Sequence, residues 1–381
     1  MSLSLAFKFR TFCLLMALFL LPQGIKAEEV LHRGLFVSTI QNPPVLTSRK
    51  EITELIAFAK QAQINTLFVQ IYRANQAWFP SKVADSKPYR NCLKSVEEDP
   101  LGLLIRKAHQ EGIQVHAWLN LLSLANNKDA RILKEYGTEV LTKDQAVKKR
   151  IEDYKIDNQY FLEPGDPRVY RDLSRIVKEI LRAYPELDGI QFDYIRYPDF
   201  HPIYGHTPIN IKLFKKEKSQ EVIDDSSNLW KQWKRDRVTQ LLTKLVKIVR
   251  ISRPRMQVST TGCVSYVRAY EEAFQDWPGW VNSHLIDFVT IMNYPKEVVE
   301  FKKNIAEAKK RVDDFKKVNV AVGAYKLEDL PTVLMQEFQA CEKEASGACV
   351  VFHYGSLSKT SVLRQYLKQE PFPTKDSTKA H

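Results

Sequence analysis

The sequence predicts a (β/α)8 barrel, because short apolar segments typical of buried strands alternate eight times with amphipathic segments typical of helices. The strand segments are continuous apolar runs, which indicates strands that are covered on both faces. The segments between them are long enough for the crossovers that parallel strands need. An open doubly wound sheet is the alternative, but such a sheet rarely continues through eight strand–helix units.

The predicted strands and helices follow one another regularly. The strands are predicted at residues 33–39, 64–71, 113–119, 189–194, 256–261, 286–292, 319–323 and 348–353. The helices are predicted at residues 49–62, 100–111, 167–183, 228–251, 271–283, 297–316, 330–344 and about 359–368. Local signals support the boundaries, since Gly112 follows one helix and Asp166 and Pro167 begin the next. Residues 28–368 are therefore predicted to form a single barrel domain.

Two connections are much longer than the others and follow neighbouring strands. Residues 121–167 follow the third predicted strand, and residues 199–228 follow the fourth. In a parallel barrel, the loops after the strands emerge at the carboxyl face, where barrel enzymes have their active sites. We therefore expect both connections to form the walls of a cleft.

The two ends of the chain are predicted to lie outside the barrel. Lys8 and Arg10 precede an apolar run at 12–21 that is too short to span a membrane, and Ala27 supplies a small residue for cleavage. Residues 1–27 therefore match a secretory signal peptide, with an uncleaved anchor as the alternative. No later segment has the length and apolarity of a membrane span. The polar residues 369–381 are predicted to be a disordered tail.

Charge and cysteine content narrow the possible functions. The 381-residue chain has a net charge of +12, but its basic residues are spread out and match no nucleic-acid-binding motif. Neither Cys-x-x-Cys nor His-Glu-x-x-His spacing occurs, so no metal or other cofactor is predicted. Outside the leader, Cys341 and Cys349 are the closest cysteines in sequence, and both a disulfide and free buried thiols remain open.

The most informative segment is residues 188–198, Asp-Gly-Ile-Gln-Phe-Asp-Tyr-Ile-Arg-Tyr-Pro. It places Asp193 at the carboxyl end of the fourth strand, where barrel enzymes carry catalytic groups. Tyr194, Arg196 and Tyr197 surround that carboxylate in sequence. Aromatic faces pack against sugar rings, and an arginine can fix a carboxylate, so the segment favours a sugar-handling site. A structural aspartate that pairs with Arg196 is the alternative.

Polar and aromatic residues at five strand ends are predicted to bind the substrate with Asp193. Each alone has an ordinary structural explanation, and their joint placement at one barrel face indicates a neutral polyhydroxylated ligand. The predicted substrate-binding residues are Arg73, Trp118, Asn120, Tyr194, Arg196, Asn293, Tyr294, His353 and Tyr354.

Glycoside hydrolysis generally needs a second carboxyl group beside the first. Glu163, in the long connection after the third strand, and Asp276, after the fifth strand, are the two candidates. Each also has a structural explanation: Glu163 lies next to the helix that opens at Pro167, and Asp276 can cap the turn before Pro278. The sequence leaves this choice open.

The chain resembles the glycosyl-hydrolase-like family 10 proteins, which are exported bacterial (β/α)8 barrels. The resemblance covers about 31–360, and the strand-four motif combined with His-Ala-Trp at 116–118 is its most specific part. The matching stretches are 33–37, 65–70, 99–101, 112–118, 188–198, 270–280 and 352–354. Glu163 departs from the usual Asn or Asp before Pro164, and residues 72–75 are only loosely similar to the family pattern. The resemblance implies polysaccharide hydrolysis, with Asp193 as the principal catalytic carboxylate and bacterial cell-wall glycan as a substrate of some members.

The sequence therefore predicts an exported, periplasmic or extracellular glycoside hydrolase. In this hypothesis Asp193 is the nucleophile or base, Glu163 or Asp276 donates the proton, and peptidoglycan glycan strands are the substrate. A glycan-binding barrel without catalysis is the alternative, and a second carboxyl group close to Asp193 would distinguish the two. A metal-dependent hydrolase is disfavoured, because no cluster of His and Asp converges on the predicted strand ends.

Overall fold

The computed structural model describes residues 32–199, 201–220, 222–344, 347–358 and 361–369. The predicted signal peptide, and all but the first residue of the predicted tail, lie outside these residues. The structure confirms the predicted barrel: each of the eight strands pairs in parallel with the next, and the eighth pairs with the first. The strands are β1 His32–Val37, β2 Thr66–Arg73, β3 Gln114–Asn120, β4 Gly189–Asp193, β5 Gln257–Cys263, β6 Phe288–Asn293, β7 Val318–Val322 and β8 Ala348–Val351.

Helices cover the outside of this barrel. Within the described residues they are α1 Arg49–Gln61, α2 Lys87–Val96, α3 Pro100–Gln110, α4 Arg131–Tyr136, α5 Pro167–Ala183, α6 Pro208–Lys218, α7 Asn228–Ser252, α8 Trp277–Asn282, α9 Val298–Lys309, α10 Pro331–Lys343 and α11 Ser361–Gln369. Three helices were not predicted from the sequence: α2, α4 and α6, which lie in the connections after β2, β3 and β4. In α6, the Thr207 side chain caps the first turn and Pro208 occupies the first position.

Two predicted helices are shorter in the structure than in the prediction. The predicted helix 271–283 is interrupted: Arg268–Glu272 form a π-helical turn, and α8 begins only at Trp277. The reason is Pro278, which lacks an amide proton and fits only in the first turn of a helix. The predicted helix 297–316 ends at Lys309.

Side chains alternate between the inside and the outside of the barrel along each strand, as the pleat requires. Inward positions build an aromatic layer of Phe36, Phe68 and Trp118 on β1 to β3. Below it, His116 is fully buried between the rings of Phe68 and Phe288. Burial lowers the pKa of His116 to about 4, so the imidazole is neutral at pH 7. The barrel is therefore filled at this level.

A glycine is required where His116 meets the neighbouring strand. A Cβ atom at Gly189 would lie 2.3 Å from Nδ1 of His116, closer than atoms can pack. The fourth strand therefore begins with the only residue that leaves room for this imidazole. Beyond the aromatic layer, the inward positions open into a cavity at the carboxyl ends of the strands.

A disulfide joins the last strand to the helix before it. Cys341 on α10 and Cys349 on β8 are bonded, with an S–S distance of 2.16 Å. The structure thus decides between the two states that the sequence left open. Across the described ranges, every helix is too short or too polar to cross a membrane.

Candidate functional site

A cavity of about 630 Å³ lies at the carboxyl face of the barrel. Its volume falls in the range of small-molecule sites, roughly 300–1,000 Å³. Most of its wall is polar or aromatic. Its lining includes Ser38, Gln70, Arg73, Trp118, Asn120, Asp193, Tyr194, Arg196, Asp199, Arg268, Met292, Tyr294, Glu300, Asn304, Tyr325, Lys326 and Phe352.

Asp193, the last residue of β4, is 4% exposed and is surrounded by hydrogen-bond donors. Its Oδ1 accepts from the backbone amide of Tyr194 at 2.7 Å and from the hydroxyl of Thr261 at 2.5 Å. Its Oδ2 accepts from the indole nitrogen of Trp118 at 3.0 Å. An ionised carboxylate only accepts, so this pattern suits a charged Asp193 with one acceptor position on Oδ2 still open.

The backbone turns sharply directly after Asp193. Tyr194 has φ of 53°, in the left-handed region that non-glycine residues rarely adopt. This turn lets the Tyr194 amide reach back to the Asp193 carboxylate, and it places the Tyr194 ring against the guanidinium of Arg196 at 4.4 Å. Unusual backbone conformations of this kind cluster at functional sites.

Arg196 lies between two carboxylates of the cavity. Its Nη1 is 3.6 Å from Oδ1 of Asp193, and its Nε is 4.0 Å from Oδ2 of Asp199. Asp199 is also ion-paired with Arg268. The cavity therefore contains an alternating row of charges that holds Asp199 between two arginines.

A wall of aromatic rings faces these charges. Tyr294 follows β6, and its ring packs against Phe352 at 5.3 Å and Tyr325 at 5.8 Å. At the cavity floor, the ring of Trp118 packs against the ring of Phe352, and their centroids are 5.9 Å apart. Burial raises the pKa of the Tyr294 hydroxyl well above its usual value, which keeps the hydroxyl protonated.

Six of the nine predicted substrate-binding residues line this cavity: Arg73, Trp118, Asn120, Tyr194, Arg196 and Tyr294. In the part of the chain that the structure describes, no carboxylate lies within ion-pair distance of Arg73. Asn120 accepts a hydrogen bond from Gln70 at 3.0 Å, which fixes its amide group at the cavity floor.

The other three predicted binding residues lie outside the cavity, which corrects the expectation about their position. Asn293 is fully buried, and it donates to the carbonyl of Phe301 at 2.9 Å and accepts from Asn304 at 2.9 Å. Nδ1 of His353 accepts from the amide of Gly355 at 3.1 Å, and Tyr354 packs on Phe58. Asn293 occupies an outward position of β6, because it is adjacent to the inward residue Met292. His353 lies beyond β8, which ends at Val351.

Glu163 also lies outside the cavity, enclosed behind its wall. It is fully buried, and its Oε1 accepts from the hydroxyl of Tyr197 at 2.5 Å and from the amide of Gly165 at 3.3 Å. Burial raises the pKa of Glu163. The same Tyr197 hydroxyl accepts from Asn210 of α6 at 3.3 Å, so Glu163 ties the two long connections together.

Asp276 caps a helix instead of facing the cavity. Its side chain accepts from the amide of Gly279 in the first turn of α8 at 3.1 Å. A Cβ atom at Gly279 would lie 2.4 Å from the Asp276 carboxylate, so the glycine makes this close cap possible. The capping role that the sequence left open is the one that the structure displays.

Several residues that build the site were not predicted from the sequence. Asp199 and Glu300 supply further carboxylates to the cavity, and Thr261 binds Asp193 directly. Thr261 could have been predicted from the alternation of side chains along β5, because every second residue of a strand points into the barrel. Asp199 directly follows Pro198 of the singled-out motif, whereas Glu300 lies in the first turn of α9 and no motif marks it. The described residues contain no group of three or more His, Cys, Asp or Glu placed to hold a metal ion.

Solved structures share this barrel architecture. The PgaB (BpsB) glycoside hydrolase domain from Bordetella bronchiseptica matches 90% of this chain and 100% of its own, with a TM-score of 0.68 and 14% identity. The catalytic domain of β-amylase from Paenibacillus polymyxa matches 89% and 99%, with a TM-score of 0.57 and 10% identity. At these identities the similarity shows the fold, a TIM barrel of the kind found in glycoside hydrolases.

Sequence comparison identifies the family. Residues 32–335 match the family Glycosyl hydrolase-like 10, so the chain belongs to that family. The glycosyl hydrolase DigH of Escherichia coli K12 is 24% identical over 298 residues, which cover 69% of this chain and 65% of the relative. The glycosyl hydrolase YngK of Bacillus subtilis 168 is 23% identical over 271 residues, covering 66% and 50%. The matches thus span less than two thirds of the length of these relatives.

Proposed function

We propose that this chain is an exported glycoside hydrolase that cleaves bacterial cell-wall glycan strands. The observation that carries the proposal is the environment of Asp193, a carboxylate held by three hydrogen-bond donors at the floor of a polar and aromatic cavity. A fixed negative charge at this position can stabilise the positive charge that develops on the sugar when a glycosidic bond breaks. Asp193 acts there as nucleophile or as base for water.

Further carboxylates in the cavity favour hydrolysis over binding alone. Asp193 and Asp199 flank the guanidinium of Arg196, which places the two carboxylates within roughly 10 Å of each other. Glu300 lines the same cavity and is exposed to solvent. Glu163 and Asp276 are not the proton donors in this proposal, because neither side chain lines the cavity.

The proposal assigns the role of proton donor to Glu300. A general acid must take up a proton from water and release it in each cycle. Glu300 is exposed, and among the described residues its ion-pair contact is with Lys303 at 3.5 Å, whereas Asp199 is held by Arg196 and Arg268. Asp199 then serves as a fixed charge that positions Arg196 beside Asp193.

Three features support a cell-wall substrate and an exported protein. The leader predicted at 1–27 would deliver the chain outside the cytoplasm. The disulfide between Cys341 and Cys349 is suited to an oxidising compartment. The net charge of +12, which is +9 without Lys8, Arg10 and Lys26 of the leader, favours association with anionic cell-wall material.

The test is mass spectrometry of purified peptidoglycan glycan strands, with and without stem peptides, after incubation with the wild-type chain. Release of short oligosaccharides or muropeptides by the wild-type chain is the expected result, and Asp193→Asn should release none. Intact strands after incubation with a folded wild-type chain would contradict the proposal. If those strands were still bound, the result would instead favour a glycan-binding barrel.

A further inference from the structure

Gln70 is a buried polar side chain of the cavity to which the proposed mechanism gives no role. It lies on β2, is 2% exposed and belongs to the cavity lining. A buried amide group is favourable only where its oxygen and its nitrogen both find partners. The partners on the two sides of Gln70 therefore decide which way its amide group faces.

The oxygen of Gln70 faces the loop after β1. Its Oε1 accepts from the backbone amide of Thr39 at 3.1 Å, from the Thr39 hydroxyl at 2.9 Å and from the Ser38 hydroxyl at 3.1 Å. A backbone N–H can only donate, so the atom of Gln70 that meets Thr39 is the oxygen. The Ser38 hydroxyl in turn accepts from the amide of Ile40 at 3.3 Å, which leaves its proton for Gln70. The orientation of the Gln70 amide group is thus fixed.

The nitrogen of Gln70 faces β3, where it orients a second amide group. Its Nε2 donates to Oδ1 of Asn120 at 3.0 Å. The Nδ2 of Asn120 makes no hydrogen bond to any residue that the structure describes. Because Asn120 lines the cavity and its oxygen is bound to Gln70, its N–H groups are what it offers to a ligand. Asn120 therefore acts as a hydrogen-bond donor at this position.

Asn120 lies directly beside Asp193. The two residues end neighbouring strands and are partners in the register of β3 and β4. Neighbouring strands lie about 4.8 Å apart, so a sugar unit held at Asp193 can also reach the Asn120 amide. The three hydrogen bonds that Asp193 accepts come from other residues, so its open acceptor position on Oδ2 stays available for the reaction.

We propose that Gln70 is a positioning residue, which holds Asn120 with its N–H groups towards the cavity so that they donate to an oxygen of the sugar unit at Asp193. If the Asn120 amide were turned around, its oxygen would face both the substrate oxygen and the Asp193 carboxylate, and both contacts would be unfavourable. This inference rests on the proposed function in one respect, namely that a glycan occupies the cavity. It adds a residue that acts through another.

The test is a double-mutant cycle on kcat/KM for purified peptidoglycan glycan strands without stem peptides, with Gln70→Glu, Asn120→Ala and the two combined. The carboxylate introduced by Gln70→Glu still accepts from the loop after β1 but donates nothing, so Asn120 can bond to it only by turning its nitrogen away from the cavity. We expect Gln70→Glu to cost at least about tenfold in the otherwise wild-type chain, and no more than about threefold where Asn120→Ala is already present.

The matched control is Gln41→Glu. Gln41 is also a buried glutamine beside the loop after β1, but it accepts from the amide of Ser38 and does not belong to the cavity lining. Its change should have the same effect on kcat/KM with and without Asn120→Ala. If Gln70→Glu behaved like this control, with equal losses in both backgrounds, Gln70 would only support the loop and the assignment would be overturned.

Asn120→Asp decides the matter where Gln70→Glu does not fold. It keeps an oxygen for Gln70 but removes the N–H groups that face the cavity, so it should lose at least about tenfold in kcat/KM. Wild-type activity of Asn120→Asp would overturn the assignment.

Binding measurements separate this inference from the proposed hydrolysis. If the wild-type chain binds the strands without cleaving them, the hydrolase proposal fails, and the same cycle on Kd by isothermal titration calorimetry decides the role of Gln70. If the chain cleaves the strands but the cycle shows no coupling, the hydrolase proposal stands and the positioning role fails. A wild-type chain that neither binds nor cleaves the strands would overturn both.

Discussion

Asp193 and Glu163 are both buried acids, and each is hydrogen-bonded by an aromatic side chain. Asp193 ends a barrel strand and keeps one acceptor position open towards a cavity. Glu163 lies behind the wall of that cavity, where its partner Tyr197 belongs to the same motif as Asp193. The two acids therefore have the same kind of hydrogen-bond partner, but only Asp193 lines the cavity.

This difference shows that a position in a long loop at the carboxyl face of a barrel does not by itself make an acidic residue a proton donor. A catalytic carboxyl group must meet both substrate and water. Glu163 meets neither, and it instead joins the connection after β3 to the connection after β4.

The largest effect is expected for Asp193→Asn. Loss of the charge beside the reacting sugar should lower kcat/KM by about 10³-fold or more, in the upper range for a directly acting carboxyl group. The assay is the initial rate of oligosaccharide release, with circular dichroism to verify folding. The control is Asp276→Asn, which changes a helix cap outside the cavity. Near-wild-type rates for a folded Asp193→Asn chain would contradict the comparison.

Glu300→Gln should lower kcat/KM on glycan strands by about 10²-fold, because the amide cannot donate the proton to the departing oxygen. The loss should be much smaller on an aryl glycoside whose leaving group needs no protonation. Asp199→Asn is the matched comparison within the cavity. If Asp199→Asn showed this dependence on the leaving group and Glu300→Gln did not, the donor would be Asp199.

A third buried acid, Glu337 on α10, does not line the cavity. It is fully buried, and its two oxygens have no partner among the described residues. Burial raises its pKa from 4.5 to about 8. The folded chain thus keeps the proton at pH values where the unfolded chain has lost it, so the free energy of unfolding falls as the pH rises from about 4.5 to about 8.

Glu337→Gln does not titrate and should remove this loss. We expect the variant to gain about 3.5 kcal/mol in free energy of unfolding over wild type between pH 5 and pH 8. Urea unfolding at both pH values measures this gain. An identical pH dependence in the two chains would show that Glu337 does not keep its proton in the folded state.

The smallest effect is expected for Glu163→Gln. Glutamine preserves an oxygen acceptor for Tyr197, so kcat/KM should stay within about threefold of wild type and the free energy of unfolding within about 1 kcal/mol at pH 7. Because burial raises the pKa of Glu163, the variant should be favoured relative to wild type as the pH rises. A loss of activity as large as that of Asp193→Asn would make Glu163 catalytic after all.

The barrel itself was determined by the sequence, because eight apolar runs separated by amphipathic segments have few other ways to bury their strands. The end of β4 could be located in the same way, and with it Asp193. The alternation of side chains along a strand also assigns Trp118 and Asn120 to the inside of the barrel and Asn293 to the outside. The predicted binding residues were taken from strand ends without this alternation, so the outward Asn293 was included.

Only the tertiary structure decided which acids face the cavity. Glu163, Asp199 and Asp276 all lie on connections, whose paths depend on packing against several distant segments. Glu163 is enclosed because Tyr197 and Asn210 close over it, and Asp199 faces the cavity because Arg196 and Arg268 hold it there. These contacts join residues far apart in the chain, so the pattern along the sequence does not encode them locally.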